Sequence, residues 1–267
     1  MTATLKTETL LGPDDPLPVG IRNGEFASEF IITCEHAGNA VPKSLKGLGL
    51  DSAELNRHIA IDIGILGVSE WVSDLLQAPL VYQRYSRLVA ECNRALTDED
   101  LFAVVSDGTV IPGNRNISEV DRRQRIEEII MPYQNEVTRR LDEQQTGGRH
   151  TTLFVSMHSF TPSLRSRPSE RPWHVGLCVG VDDRFTRHVF AALQADNSIL
   201  VGFNEPYDVD MIREYSIPVH AERRGLPYVQ FEIRQDLIAD QSGQKEWARR
   251  VAQALERARA TFLSEMS

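Results

Sequence analysis

The sequence predicts an α/β protein, a three-layer α/β/α sandwich around a mostly parallel, mixed central sheet. Three observations predict it. Short apolar runs of strand type recur along the chain, helical patterns lie between them, and a chain of 267 residues with 41% hydrophobic content can bury a sizeable core.

Residues 1–26, with Gly12, Pro13, Pro16, Pro18 and Gly20, read as an irregular lead-in to a single domain spanning 1–267. FIITC (30–34) is the first strand. A helix is predicted from Ser52 to about Leu76, because Asp51 and Glu54 stand in capping-box spacing and Leu55, Ile59, Leu66 and Val72 follow the 3.6 period. PLVYQ (79–83) is the next strand. A second helix runs through Ile126, Ile130, Tyr133, Val137 and Leu141, with Pro132 marking a kink or a fresh start. LFVSM (153–157) reads as a strand covered on both faces, with His158 where it emerges. VGLCVG (175–180), ILVGF (199–203) and YVQFEI (228–233) are further strands, and a third helix spans about 183–193. The last helix carries Trp247, Val251, Leu255 and Phe262 on one face. Strands separated by helices pair mostly in parallel, since a parallel neighbour needs a crossover.

The formal charge of −9 argues against nucleic acid or an anionic membrane as the partner, since both require clustered positive charge. A small-molecule anion must then be met by a few placed arginines. Cys34, Cys92 and Cys178 are odd in number and form no C-x-x-C pair, which fits neither a disulfide framework nor a zinc knuckle and points to a reducing cytoplasm. No apolar leader core and no window near ~20 apolar residues stands in the sequence, so neither secretion nor membrane insertion is expected.

In an open parallel sheet, ligands bind outside the carboxyl ends of the strands. Applied here, that rule gathers Glu35-His36 after the first strand, His158-Ser159 after the 153–157 strand, Glu232-Ile233-Arg234 at the last strand and Asn204-Glu205-Pro206-Tyr207 after the strand near 200. On the helical reading, Asp62 shares an apolar stripe with His58, Ile59, Ile65 and Leu66, so its carboxylate needs a cation, a metal or a set of donors to stay charged. A pair with His58 or an arginine would serve; so would a divalent ion. Two histidines and one carboxylate, with a fourth position left for water, form the open shell of a hydrolytic zinc, and His36, Asp62 and His158 supply that set. Zinc would lower the pKa of its water to about 7 while a nearby carboxylate acts as general base. Glu232 is the candidate, a salt bridge to Arg234 its plainer role. In YSRLVAECNRAL (85–96), Arg87, Asn93 and Arg94 supply an amide and guanidinium forks suited to a carboxylate, unless the arginines pair with acids such as Glu91.

The blocks CEHAGNAVP (34–42), HIAIDIG (58–64), YSRLVAECNR (85–94), HSFTP (158–162), RPWHVG (171–176), NEPYDV (204–209) and GLPYVQFEIRQDLI (225–238) together resemble the N-formylglutamate amidohydrolase family, in its order. The resemblance implies a relative of the zinc carboxypeptidases, with a phosphorylase/hydrolase-like α/β/α fold, that cleaves N-formyl-L-glutamate, an intermediate of histidine breakdown, to formate and glutamate. It further implies His36 and His158 as metal ligands, Glu232 as the catalytic carboxylate and Asn93-Arg94 as the grip on the substrate carboxylate, with Arg87 helping and Asn204 or Tyr207 lining the pocket. Asp62 is the third ligand, with Glu35 and His58 as rivals. Glu91 departs from the family pattern, where aspartate precedes the Asn-Arg pair, and EHAGN and HSFTP mark a distinct branch. Two other readings follow from the same residues: a zinc carboxypeptidase-like hydrolase of another N-acyl amino acid or small peptide, and a small-acid binding protein without a working metal.

Overall fold

The computed structural model describes residues 9–146 and 151–266. In chain order these form β1 (Val19–Arg22), β2 (Phe30–Cys34), α1 (Ser52–Leu55), α2 (Ile65–Leu76), β3 (Leu80–Gln83), β4 (Val105–Ser106), β5 (Thr109–Val110), α3 (Glu119–Arg125), α4 (Met131–Thr146), β6 (Leu153–Phe160), β7 (Val175–Cys178), α5 (Thr186–Gln194), β8 (Val201–Phe203), β9 (Tyr228–Arg234) and α6 (Gln241–Met266). Seven strands make one sheet in the order β1-β3-β2-β6-β9-β7-β8, and β4 and β5 form a separate hairpin. β3, β2, β6 and β9 run parallel to one another; β1 is antiparallel to β3, and β7, itself parallel to β8, is antiparallel to β9. The mixed, mostly parallel α/β sheet expected from the sequence is the one observed.

Side-chain alternation along the strands divides the apolar residues between the two faces. Phe30, Ile32 and Cys34 of β2, with Leu153, Val155 and Met157 of β6 and Val229, Phe231 and Ile233 of β9, pack against α2, α5 and α6 through Val68, Val72, Val189, Trp247, Val251 and Phe262. Ile31, Phe154 and Tyr228 face the opposite way, onto Tyr133, Val137 and Leu141 of α4. Farther along β6 and β9, Ser156, His158, Gln230 and Glu232 continue the series begun by Phe154 and Tyr228, which puts polar groups on the α4 side of the sheet. His158 and Glu232 are register partners on adjacent parallel strands.

Three expectations are corrected. The lead-in is not irregular throughout: residues 1–8 lie outside the described residues, but Val19–Arg22 adds an antiparallel edge strand beside β3. β6 runs on to Phe160, so His158 lies inside the strand. The helix expected from Ser52 to Leu76 is two helices separated by an irregular stretch. Asp51 caps α1 as expected, its side chain accepting from the Glu54 amide. The helical period then fails, because Gly64 takes φ +79° at the start of α2, where a Cβ would also run into the Ile238 carbonyl oxygen. The Asp62 amide donates to the His36 carbonyl at 3.0 Å. Asp62 therefore sits on a loop anchored to the end of β2. At the other helix in doubt, a π-turn over Ile126–Ile130 separates α3 from α4, so Pro132 falls in the first turn of a new helix, where its missing N–H costs little.

Candidate active site

His36 lies just beyond β2, Asp62 on the loop before α2 and His158 within β6, and the three side chains converge. Their ligand-type atoms lie within 4.8 Å of one another, and all three residues are buried. His158 Nδ1 is 3.1 Å from His36 Nδ1 and 3.1 Å from Asp62 Oδ2, and His36 Nδ1 is 3.3 Å from Asp62 Oδ2. The far nitrogen of each ring meets its own carboxylate: His36 Nε2 lies 2.5 Å from Glu91 Oε1, and His158 Nε2 lies 3.1 Å from Glu35 Oε2. With each Nε2 turned to its own carboxylate, the two Nδ1 atoms face each other and one Asp62 oxygen. Two imidazole nitrogens and a carboxylate oxygen so placed suit a cation between them. Bonds of about 2.0–2.1 Å to a tetrahedral zinc put neighbouring ligands roughly 3.3 Å apart, so these three atoms fit one face of that polyhedron.

The charges agree with this. Burial opposes protonation of His158, yet the Asp62 and Glu35 carboxylates overcome it and hold the imidazole well above its ordinary range. Burial likewise raises the Asp62 carboxyl, but His36 and His158 bring it well below its usual value. Glu35 is fully buried, a penalty outweighed by His158 and by the Ser216 hydroxyl donating at 2.7 Å, and its carboxyl is held down at about 2. Arg87 closes the ring: its Nε donates to Glu91 Oε2 at 2.7 Å and its Nη1 to Asp62 Oδ1 at 3.2 Å.

Glu232 stands beside His158 on β9 and lines a cavity of about 400 Å³ over the three converging side chains. Burial pushes its carboxyl up to about 7, with His158 pulling the other way. Arg94 lines the same cavity. Asn93 does too, but its amide is occupied, donating to Glu214 Oε2 at 3.3 Å and accepting from the Ser216 amide at 2.9 Å. Tyr207 lines the cavity, its hydroxyl accepting from Arg171 Nη1 at 2.7 Å.

Other expected residues lie differently. Glu35, a rival third ligand, stands behind His158 and bonds its outer nitrogen. His58, the other rival, is drawn aside to Asp107, its Nε2 3.2 Å from Oδ2. Arg87 was expected to hold substrate, but its guanidinium is taken up by Glu91 and Asp62. Asn204 is not among the cavity-lining residues: it sits at φ +53° with its Oδ1 accepting from the Val179 amide at 2.8 Å, a turn-forming role. Sequence reasoning missed the parts played by Glu35 and Glu91. The available signal was an acidic residue beside each chemically useful block, one in CEHAG and one in AECNR.

Fold and site together define an α/β enzyme whose polar centre lies towards the carboxyl ends of adjacent parallel strands. A family model for N-formylglutamate amidohydrolase matches residues 28–239, and the chain belongs to that family of amide-hydrolysing enzymes. Gene product Atu2144 of Agrobacterium tumefaciens, known from its crystal structure, is 31% identical and superposes with a TM-score of 0.88, covering 94% of this chain and 98% of that one. The N-formylglutamate amidohydrolase of Ralstonia eutropha JMP134 shares the fold at 16% identity with a TM-score of 0.70, over 92% of this chain and 98% of that one. No curated protein sequence matches the chain.

Proposed function

We propose that the protein is a metal-dependent hydrolase that cleaves the amide of an N-acyl amino acid, with N-formyl-L-glutamate as substrate and formate and L-glutamate as products. The observation that carries this reading is the convergence of His36 Nδ1, His158 Nδ1 and Asp62 Oδ2 at 3.1–3.3 Å, with Glu232 on the strand beside them. His36, Asp62 and His158 hold a divalent ion, zinc by its fit to two imidazoles and one carboxylate. When bound, that ion supplies Lewis-acid polarisation of the amide carbonyl and acidifies water.

The chain's own residues do the rest. Glu232, kept partly protonated near neutrality by its burial, takes a proton from the attacking water and returns one to the departing amine. Arg94 holds the substrate carboxylate, with Tyr207 on the cavity wall beside it. Glu91 and Glu35 fix the two imidazoles in the tautomer that turns Nδ1 inward. Arg87 fixes the second oxygen of Asp62.

No helix among the described residues is long and apolar enough to cross a membrane. The three cysteines are free and buried, which supports a reducing cytoplasm as the working compartment, and a substrate such as N-formyl-L-glutamate would place the enzyme in histidine breakdown. The test is to incubate purified protein with N-formyl-L-glutamate and follow free glutamate and formate, before and after chelation and again after zinc is restored. Release that stops on chelation and returns with zinc is expected. Release indifferent to chelation removes the metal from the reading, and no release removes the substrate.

A further inference from the structure

A second cavity, of about 280 Å³, adjoins the central one, and His58, Arg87, Glu91 and Arg94 line both. The two spaces therefore meet. Arg87 donates to Asp62 and also borders the second cavity, which thus begins one side chain away from the converging group. Apolar residues supply much of its lining. Ile59 and Leu88, both buried, form its inner surface, and the more exposed Ala103, Val105 and Leu164 form its outer one.

The walls of this cavity are fixed by hydrogen bonds of the fold. Val105 pairs with Val110 and Ser106 with Thr109 across the β4–β5 hairpin, and Asp107 and Gly108 make its two-residue turn at φ +44° and +78°. Asp107 then ties the hairpin to the segment that follows β6. Its carboxylate accepts from Arg57 Nη2 at 3.0 Å, from the Arg165 amide at 3.1 Å, and from the amide and hydroxyl of Ser166, each at 2.8 Å. The other acidic groups at the cavity are committed as well, Glu91 to Arg87 and Asp100 to Arg213. What remains open to a ligand is apolar surface, and Val105 is 56% exposed although it lines a concavity. Apolar ligand atoms placed there would take that surface out of water.

We propose that this second cavity is an acyl-chain subsite, so that the protein also cleaves amides whose acyl group is a short unbranched hydrocarbon chain, the chain lying between Leu88 and Ile59 on one side and Ala103, Val105 and Leu164 on the other. This rests on the amide-hydrolase reading above and widens its substrate class on the acyl side. With the α-carboxylate on Arg94, the amino-acid half of the substrate ends at the junction of the cavities, and the acyl half is the part that can lengthen. The bond change is the one already described: one water is consumed, the C–N bond breaks, and the carboxylic acid leaves with the free amino acid.

The experiment measures kcat/KM for N-formyl-, N-acetyl-, N-butanoyl- and N-hexanoyl-L-glutamate in the wild type, Ala103→Phe and Leu164→Phe. From acetyl to hexanoyl the wild-type value should rise by about two- to fourfold per methylene, the upper figure being that of complete burial. A phenyl ring placed in the cavity from either wall should flatten that rise, and one variant that melts as the wild type does is enough for the comparison. A wild-type series that is flat or falls from acetyl to hexanoyl, with the formyl compound cleaved, overturns the subsite and leaves the hydrolase reading intact. A rise that persists in both variants overturns it too, because the chain then lies elsewhere. Hydrolysis of the hexanoyl compound but not of the formyl one supports the subsite and removes N-formyl-L-glutamate as substrate. A protein that cleaves none of the four overturns the parent reading and the subsite with it. Inhibition by hexanoate against acetate probes the same cavity without a variant: stronger inhibition by hexanoate is expected, and equal inhibition counts against the subsite.

Discussion

Glu91 Oε1 lies 2.5 Å from His36 Nε2, the nitrogen turned away from the cluster, so this carboxylate anchors the imidazole from outside. Its second oxygen receives Arg87. Arg87 in turn reaches Asp62, and one carboxylate therefore steadies two members of the converging group.

Replacing Glu91 by Gln should weaken zinc binding about 10–100-fold, the usual effect of losing the outer partner of a ligating histidine. Competition against a chelator of known affinity measures it. An unchanged affinity would mean that His36 is held by packing alone.

Glu232→Gln should bring turnover of N-formyl-L-glutamate to background while zinc content stays at the wild-type level, because the side chain lies beside His158 on the neighbouring strand and outside the His36, Asp62 and His158 group. Metal analysis of the same preparation makes the point. Undiminished turnover excludes Glu232 as the proton carrier.

Gly64→Ala should destabilise the fold by roughly 1–3 kcal/mol, the scale of a residue forced into left-handed backbone, with the clash against Ile238 added. Since Gly64 follows Asp62 by two residues, the same variant should also bind zinc less tightly. Thermal melts with and without the metal separate the two effects, and a variant as stable as the wild type shows the turn to be tolerant.

His220 gives a pH dependence with a defined sign. Burial lowers its pKa to about 4, its Nε2 lies 2.6 Å from Gln134 Oε1, and its Nδ1 is buried with no partner among the described residues. The folded state keeps it neutral where the unfolded chain, with a pKa near 6.5, takes up a proton. Its contribution to stability is therefore complete above pH 6.5 and declines as the pH falls towards 4, by about 3 kcal/mol in all. Denaturant unfolding between pH 7 and 4 should follow that decline, and His220→Gln should flatten it. An identical slope in the variant would assign the decline to other groups.

The strands were legible because they are runs of β-branched and aromatic residues bounded by polar turns, and FIITC falls on β2 residue for residue. VGIR was hidden: it is short, starts beside Pro18 and contains Gly20, whose open face accommodates the Tyr82 ring. That His36, His158 and Glu232 stand towards the carboxyl ends of strands was legible as well, although His158 and Glu232 lie inside β6 and β9 and not beyond them. The burial of Asp62 is real, but its cause is not the one its spacing suggests. Its burial was inferred from a helical stripe that does not exist, yet the inference that a buried carboxylate needs a partner holds on a loop as well as on a helix. The contacts of Glu35 and Glu91 join segments far apart in the chain, Glu35 with Ser216 and Glu91 with His36 among them, and no local pattern records them.

The strand order has a consequence for synthesis. β9 is the last strand of the sheet in the sequence but occupies a place between β6 and β7. Until it emerges from the ribosome, both neighbours expose unpaired backbone to any passing strand. The growing chain therefore passes an association-prone stage immediately before the segment bearing Glu232 arrives, and the same event seals the sheet and sets Glu232 beside His158.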